Sequence, residues 1–341
     1  MGVHVKQDAL GKIFRVEKRL GRGDEFEIIS HFLNGDRKVS RYRHETCDGL
    51  GALLLESSRW SSVPIAIPTF RMKKRGDLLS FMRGVVGFFE DFSPSKTLWK
   101  HLEVNAPYTS QHLAWRVFSE RSTEDLLKYA KAKNVSLNSV LLAAVSSAVG
   151  SLLLKDSQTE CRWLIPVNMR MSPSEALNSA NHTSSVGVRF CRDVSLTELD
   201  ATLKKSLNPW RVLFAYRLAA ALSRLSEDVL FKLAKKRGEH NFWIGSFSNL
   251  GMWNAGITAE NEHFPAAIAI APPAGTPCFP VGVGIITWQG RLSISVRLHS
   301  GLVPTHSRLP EELLDEVNHQ LREFGLEHSE FFATSLSRGA K

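Results

Sequence analysis

Val39-Ser-Arg-Tyr-Arg-His-Glu-Thr-Cys-Asp-Gly-Leu-Gly51 is the stretch from which the rest of the chain can be read. Lys38 to Arg43 alternates like a strand, and Leu50 to Leu55 is apolar like the first turns of a buried helix. His44, Asp48 and Gly49 therefore form a His-x-x-x-Asp-Gly pattern where a strand ends and a helix begins. A histidine there is held on rigid elements and can still point into a cleft. Its imidazole titrates near neutrality, so it can take a proton from an alcohol or amine and hand it on. Asp48 is placed to fix the loop, and Gly49 permits a backbone turn that a side chain would block. The residues alone leave other readings open. His44 can be a surface histidine in a turn, with Asp48 as the N-cap of the next helix. Cys47 can be a nucleophile beside His44. A metal site of His44, Glu45 and Asp48 would need further ligands, and no second His/Cys cluster stands at ligand spacing, so no metal is expected.

Upstream, Glu25 to Asp48 reads as a hairpin turning at Asn34-Gly35. Downstream, the helix after Gly49 is expected to end before Pro64. Ser61 to Tyr108 then reads as an irregular linker with one helix over Leu78 to Phe89. From Leu113 to Ser119 the chain alternates as a strand, and Ser122-Thr-Glu-Asp reads as a capped helix start. Ser136 is expected to cap a second helix, Leu137 to Leu154, apolar nearly all round and hence buried. Strands follow over Arg162 to Val167 and Ser184 to Phe190, then helices over Leu196 to Leu207 and Trp210 to Lys236. Phe242 to Phe247, Val281 to Trp288 and Leu292 to Leu298 read as strands, the last two joined at Gln289-Gly290. Leu309 to Phe324 is the closing helix, and the chain after Glu327 reads as frayed. Trp243, Trp253, Phe279 and Trp288 are assigned to the core. The expected organisation is an abbreviated N-lobe and linker over 1–107, a C-lobe over 108–327, and a flexible tail over 328–341.

The 341 residues suffice for two lobes, and an apolar fraction of 43% can bury a sizeable core. The oiliest short run, Ala266 to Ala271, is bracketed by prolines and too short to span a bilayer. The charged N-terminus lacks the apolar region of a signal peptide. The four scattered cysteines fit reduced thiols, so a cytoplasmic location is expected. The net charge of +9 fits a phosphate-rich cosubstrate or peripheral contact with an anionic membrane. Its basic residues are dispersed, with small clusters at Arg71-Met-Lys-Lys-Arg and Lys235-Lys-Arg, and no nucleic-acid-binding motif is present, so nucleic acid is not expected as a partner.

Several segments, in order, resemble the superfamily of chloramphenicol acetyltransferase, peptide-synthetase condensation domains and wax ester synthase/diacylglycerol acyltransferases. They are His44-x-x-x-Asp48-Gly49, Val135-Ser-Leu-Asn-Ser-Val-Leu-Leu-Ala, Pro166-Val-Asn-Met-Arg170, Ser248-Asn-Leu-Gly251, the hairpin from Gly284 to Val296, and Leu302-Val-Pro. The likeness covers roughly residues 20 to 325 and is nearest the wax ester synthase and alcohol acetyltransferase branches. It departs in four ways, the first being that the Pro-Leu-Trp motif of the wax ester branch has no counterpart upstream of His44. Arg43 stands where relatives often have a first histidine, Ser139 stands where the wax ester branch has an aspartate, and only 43 residues precede His44 where relatives have many more.

The resemblance implies an α/β fold of two chloramphenicol-acetyltransferase-like lobes with mixed sheets, the first abbreviated. It implies acyl transfer from an acyl-CoA thioester to a hydroxyl or amine acceptor, with His44 as general base and no bound cofactor. Asp48 would hold the loop by pairing with an arginine, Arg170 being the candidate. Gly49, Asn138, Ser248 and Asn249 would line the substrate channel. Two alternatives stand beside this reading: a non-catalytic binding or scaffold member of the fold, and a condensation-type enzyme acting on a carrier-protein thioester. The short first lobe would leave an uncovered sheet edge, which implies a homo-oligomer or a natural start upstream of Met1.

Overall fold

The computed structural model describes residues 9–20, 23–60, 65, 67–70, 78–91, 97–106, 112–238, 243–253, 264–273, 276–304, 307–326 and 330–334. The basic cluster at 71–75 and the end of the tail lie outside them. The chain opens with an amphipathic helix, α1 (Ala9–Arg19), which the sequence reading did not anticipate. The hairpin follows as β1 (Glu25–His31) and β2 (Arg37–Arg43). Its turn is the expected one. Gly35 takes φ +86°, and Asn34 Oδ1 accepts the Asp36 amide at 3.0 Å. Next come α2 (Gly49–Ser57) and α3 (Leu78–Asp91).

The second half is built from β3 (Leu113–Phe118), α4 (Glu120–Ala132), α5 (Leu137–Leu152), β4 (Glu160–Asn168), the one-turn α6 (Pro173–Ala176) and β5 (Thr183–Cys191). It continues with α7 (Leu196–Ser206), α8 (Pro209–Leu222), α9 (Glu227–Gly238), β6 (Gly245–Trp253) and β7 (Ala267–Ala271). It ends with β8 (Val281–Trp288), β9 (Arg291–Leu298), α10 (Leu309–Glu323) and β10 (Phe331–Thr334). Seven strands form a mixed sheet in the order β10-β3-β9-β8-β6-β4-β5, in which β6 runs parallel to both neighbours. The other sheet has three strands, β2-β1-β7.

The small sheet refines an expectation. The free edge of β1 is covered by β7, with Glu27 opposite Ala271 and His31 opposite Ala267. The oily run of the sequence is thus a strand buried on both faces, borrowed from the second half of the chain to complete the first. The edge that stays open is β2, where Arg37, Lys38, Arg41 and Arg43 line an exposed strand. Charge of this kind discourages pairing with another chain. The uncovered edge expected of the hairpin is thus present at β2, where charged side chains flank the exposed Val39.

Other differences have local causes. The cap of α4 is Ser119, whose Oγ accepts the Ser122 amide at 3.2 Å, while Ser122 lies inside the first turn. The single helix expected over Trp210 to Lys236 breaks into α8 and α9. There Ser223 Oγ bonds back to the Ala220 carbonyl and Ser226 Oγ accepts the Val229 amide. β6 does not end at Phe247; it continues through a bulge between Asn249 and Met252, with Gly251 at φ +89°. Phe331 to Thr334, expected to be loose, pairs with β3.

Ser136 caps α5 as expected, and α5 is buried through Val140, Leu141, Leu142, Ala144, Val145, Ala148 and Val149 in the main core. A second core joins the small sheet, α2 and the ends of β6 and β8, through Phe26, Ile28, Leu53, Trp60, Trp253, Ile270 and Trp288. Trp243, Trp253 and Trp288 are buried; Phe279 is half-buried. No single helix is long and apolar enough to cross a membrane.

Candidate active site

The hairpin delivers His44 to the second core. His44 N donates to the Asp24 carbonyl at 2.9 Å just beyond the last rung of the ladder. The chain then turns, with the Thr46 and Cys47 amides both on the Arg43 carbonyl at 3.0 Å. Asp48 follows in extended conformation and caps α2, its Oδ1 accepting the Gly51 amide at 2.7 Å. The bland reading of Asp48 as an N-cap is therefore correct as far as it goes.

The same carboxylate does more. Arg170, fully buried at the end of β4, donates Nη1 to Oδ2 at 2.9 Å and Nη2 to Oδ1 at 3.0 Å. Oδ2 also accepts the His182 amide at 2.8 Å and the Thr183 hydroxyl at 3.1 Å. Arg170 in turn donates to the carbonyls of Asn178 and Ala180. A bidentate, charge-assisted pair with every oxygen engaged fixes geometry strongly. It ties the strand–helix junction to the loop that enters β5. Asn181 completes the tie, donating Nδ2 to the His44 carbonyl at 3.0 Å.

His44 itself is held by packing. Its ring is stacked between Phe26, with centroids 4.5 Å apart, and Phe14 of α1, at 5.2 Å. Its Nδ1 is enclosed and has no hydrogen-bond partner. Burial pushes its pKa below the ordinary 6.5, against the opposing pull of the Asp48 and Asp24 carboxylates and the Cys47 backbone. The imidazole is therefore neutral at neutral pH, as a base must be. Burial pushes the thiol of Cys47 up to about 11, which keeps it protonated and disfavours it as a nucleophile.

The remaining sequence candidates fall into a second group. Gly49 starts α2 against Leu250; a Cβ there would stand 3.1 Å from the Leu250 side chain. This contact brings the junction up to the Ser248-Asn-Leu-Gly251 segment of β6. Asn249 donates Nδ2 to Asn138 Oδ1 at 2.5 Å and accepts the Gly251 amide at 2.8 Å. Asn138 sits in the first turn of α5. Ser248 lies on β6 opposite Gly284. Ser139, the departure from the wax ester pattern, has a partner the sequence did not reveal. Its Oγ donates to Asp200 on α7 at 2.8 Å, and the same oxygen accepts the Ser136 amide at 2.9 Å. Ser139 thus binds a carboxylate that comes from another helix.

Sequence reasoning passed over Phe14, Asp24, Asn181 and His182. The run Asn178-Ser-Ala-Asn-His182, polar and just ahead of a strand, was the available signal for two of them. Among the described residues no three His, Cys, Asp or Glu side chains gather to hold a metal ion. An apolar cleft of about 300 Å³ opens between α3 and α8, lined by Phe81, Trp210, Phe214 and Arg217 among others, and includes none of the site residues above.

No family profile and no curated protein matches the chain. Solved structures do. The chain is similar to a trichothecene 15-O-acetyltransferase from Fusarium sporotrichioides, at 13% identity and a TM-score of 0.55, covering 84% of this chain and 66% of that one. It is similar to a nonribosomal peptide synthetase at 13% identity and a TM-score of 0.54, covering 86% of this chain and 33% of that one. It is also similar to the enacyloxin polyketide synthase structure solved for condensation-domain-mediated chain release, at 12% identity and a TM-score of 0.51, covering 90% of this chain and 61% of that one. The chain thus spans less than two thirds of each of these structures, and the likeness is one of fold.

Proposed function

We propose that this chain, whose fold is that of chloramphenicol-acetyltransferase-like and condensation-domain enzymes, moves an acyl group from a thioester to a hydroxyl or amine acceptor with His44 as general base. The observation that carries the reading is the junction at His44. The imidazole is clamped between two aromatic rings, its backbone is tied by Asn181, and the loop behind it is locked by Asp48 and Arg170. Such fixing of one side chain suits a group that must meet a proton at a set position.

In this reading His44 removes the acceptor proton as the oxygen or nitrogen attacks the thioester carbonyl. The imidazolium then protonates the departing thiolate, so no covalent acyl-enzyme forms. Asp48 holds the loop. Asn138, Ser248, Asn249 and Gly49 line the path of the acyl carbonyl, where a polar donor aimed at the developing oxyanion is worth about 3 kcal/mol. The donor is acyl-CoA, whose phosphates suit the net charge of +9, and a carrier-protein thioester is the competing donor. The enclosure of His44 by Phe14 favours a second reading, a binding member of the fold in which the imidazole only packs.

The test is thiol release from short- and long-chain acyl-CoA, followed with a thiol reagent, with mixed alcohols and amines as acceptors and mass-spectrometric detection of product. Acceptor-dependent release is the expected result. Release only from a phosphopantetheinylated carrier protein would change the donor. No turnover with either donor would favour the binding reading.

A further inference from the structure

The register of the hairpin extends one step past its last assigned pair. Glu25 lies opposite Arg43, so Asp24 lies opposite His44, and the bond from His44 N to the Asp24 carbonyl closes that rung. Directly opposed residues send their side chains from the same face of a sheet, with Cβ atoms about 5 Å apart. Phe26 and Tyr42 are the next opposed pair on that face, and Phe26 stacks on His44. Asp24 thus shares its face with His44.

Both members of this pair are unsatisfied. Asp24 is 5% exposed, and its Oδ2 is enclosed without a hydrogen-bond partner. His44 Nδ1 is enclosed without one as well. Each is costly to bury alone, and the two are complementary as acceptor and donor. Asp48 cannot serve here, because Arg170, Gly51, His182 and Thr183 already engage both its oxygens. The other groups against the imidazole are the rings of Phe14 and Phe26 and the backbone of Cys47, with the Arg15–Glu45 ion pair (3.6 Å) next in sequence.

We propose that Asp24 is a positioning residue for His44: no hydrogen bond joins the two side chains in this structure, and a side-chain rotation on their shared face would let the carboxylate accept Nδ1–H and so fix the tautomer that leaves Nε2 as the base. The pairing is independent of the acyl-transfer reading; its catalytic consequence rests on that reading. The acceptor proton passes to Nε2 as the acceptor attacks the carbonyl carbon. The imidazolium is held beside the Asp24 carboxylate. The proton then leaves Nε2 for sulfur as the carbon–sulfur bond breaks.

The experiment is a nitrogen-15 NMR titration of histidine-labelled full-length protein, with His44→Gln to assign the signal. The wild type should show Nδ1 protonated and Nε2 unprotonated at neutral pH. Asp24→Asn should mix the tautomers and lower the His44 midpoint by about one pH unit, since an adjacent opposite charge raises it. Asp24→Glu should restore part of both effects, and serves in place of the asparagine variant should that fail to fold. With turnover in hand, Asp24→Asn should lower kcat about a hundredfold with little change in the KM for the thioester. An unchanged tautomer and midpoint in a folded Asp24 variant would overturn the proposal while leaving His44 free to be the base. The expected NMR shift in a protein that turns over no thioester would keep the pairing and overturn its catalytic consequence.

Discussion

Two buried aspartates reach β5 from the first hundred residues, and each is gripped by an arginine. Asp91, at the end of α3, accepts the Gly187 amide in the middle of β5 at 3.0 Å and pairs with Arg211 of α8. Asp48, at the start of α2, accepts from His182 and Thr183 where β5 begins and pairs with Arg170. The physics of the two clamps is the same. What differs is the load. Asp91 fastens helices to a sheet, whereas Asp48 fastens the loop that carries His44. A buried ion pair is thus no functional signal in itself; its meaning comes from what the anchored backbone carries.

The matched variants Asp48→Asn and Asp91→Asn test this difference first. Removing one side of a buried pair typically costs about 3 to 5 kcal/mol. Urea denaturation should show losses of that size at both sites. Per folded molecule, only the Asp48 variant should also lose thioester turnover. Full stability with lost turnover at Asp48 would make it a participant in the reaction and not a clamp.

A second contrast lies between two histidines of the hairpin. His31 Nε2 accepts the Trp115 indole N–H at 3.3 Å, which fixes it as a core acceptor, while His44 Nδ1 has no such partner. Burial, helped by Arg37, lowers the His31 pKa to about 4. Below 6.5 the unfolded imidazole binds a proton that the folded one refuses until about pH 4. The His31 contribution is therefore complete above 6.5 and lost as pH falls from 6.5 towards 4, on the order of 3 kcal/mol in all. His31→Gln should remove that share of the acid slope in stability measured against pH and leave turnover at neutral pH unchanged.

Each clamp also closes around a glycine, and these should differ less. A Cβ on Gly51 would stand 2.0 Å from the Ser179 carbonyl oxygen, and one on Gly187 would stand 2.4 Å from the Trp243 ring and 2.5 Å from Asp91 Oδ1. Gly51→Ala and Gly187→Ala should each cost about 1 to 3 kcal/mol, read as shifts in the denaturation midpoint. The smallest effect is expected at Cys47. Cys47→Ala should cost about 1 kcal/mol and leave turnover within about twofold, because its protonated thiol only fills the core beside His44. A large loss of turnover would revive the cysteine nucleophile.

Local signals made much of this legible in the sequence. Asn34-Gly35 announced the hairpin, Ser136 the cap of α5, and the His-x-x-x-Asp-Gly spacing the junction where Asp48 caps α2. What escaped depends on distant partners. Ala267 to Ala271 reads as an oily run because both faces of β7 are buried, and only its pairing with β1 identifies it as a strand of the other sheet. Asp200 meets Ser139 from 61 residues away. Asp24 gains its meaning only when the hairpin register sets it across from His44. The break between α8 and α9 was within reach, since Ser226-Glu-Asp is a start signal inside what read as one long helix.

In the proposed function the junction at His44 holds a base, where a packing histidine would serve no reaction. The most direct measurement is turnover of the thioester by His44→Ala, taken together with its thermal midpoint. A fall of about a hundredfold or more is expected, with the fold kept and the midpoint little changed. Turnover within about tenfold of the wild type would contradict it, and a collapsed midpoint would assign His44 to the core.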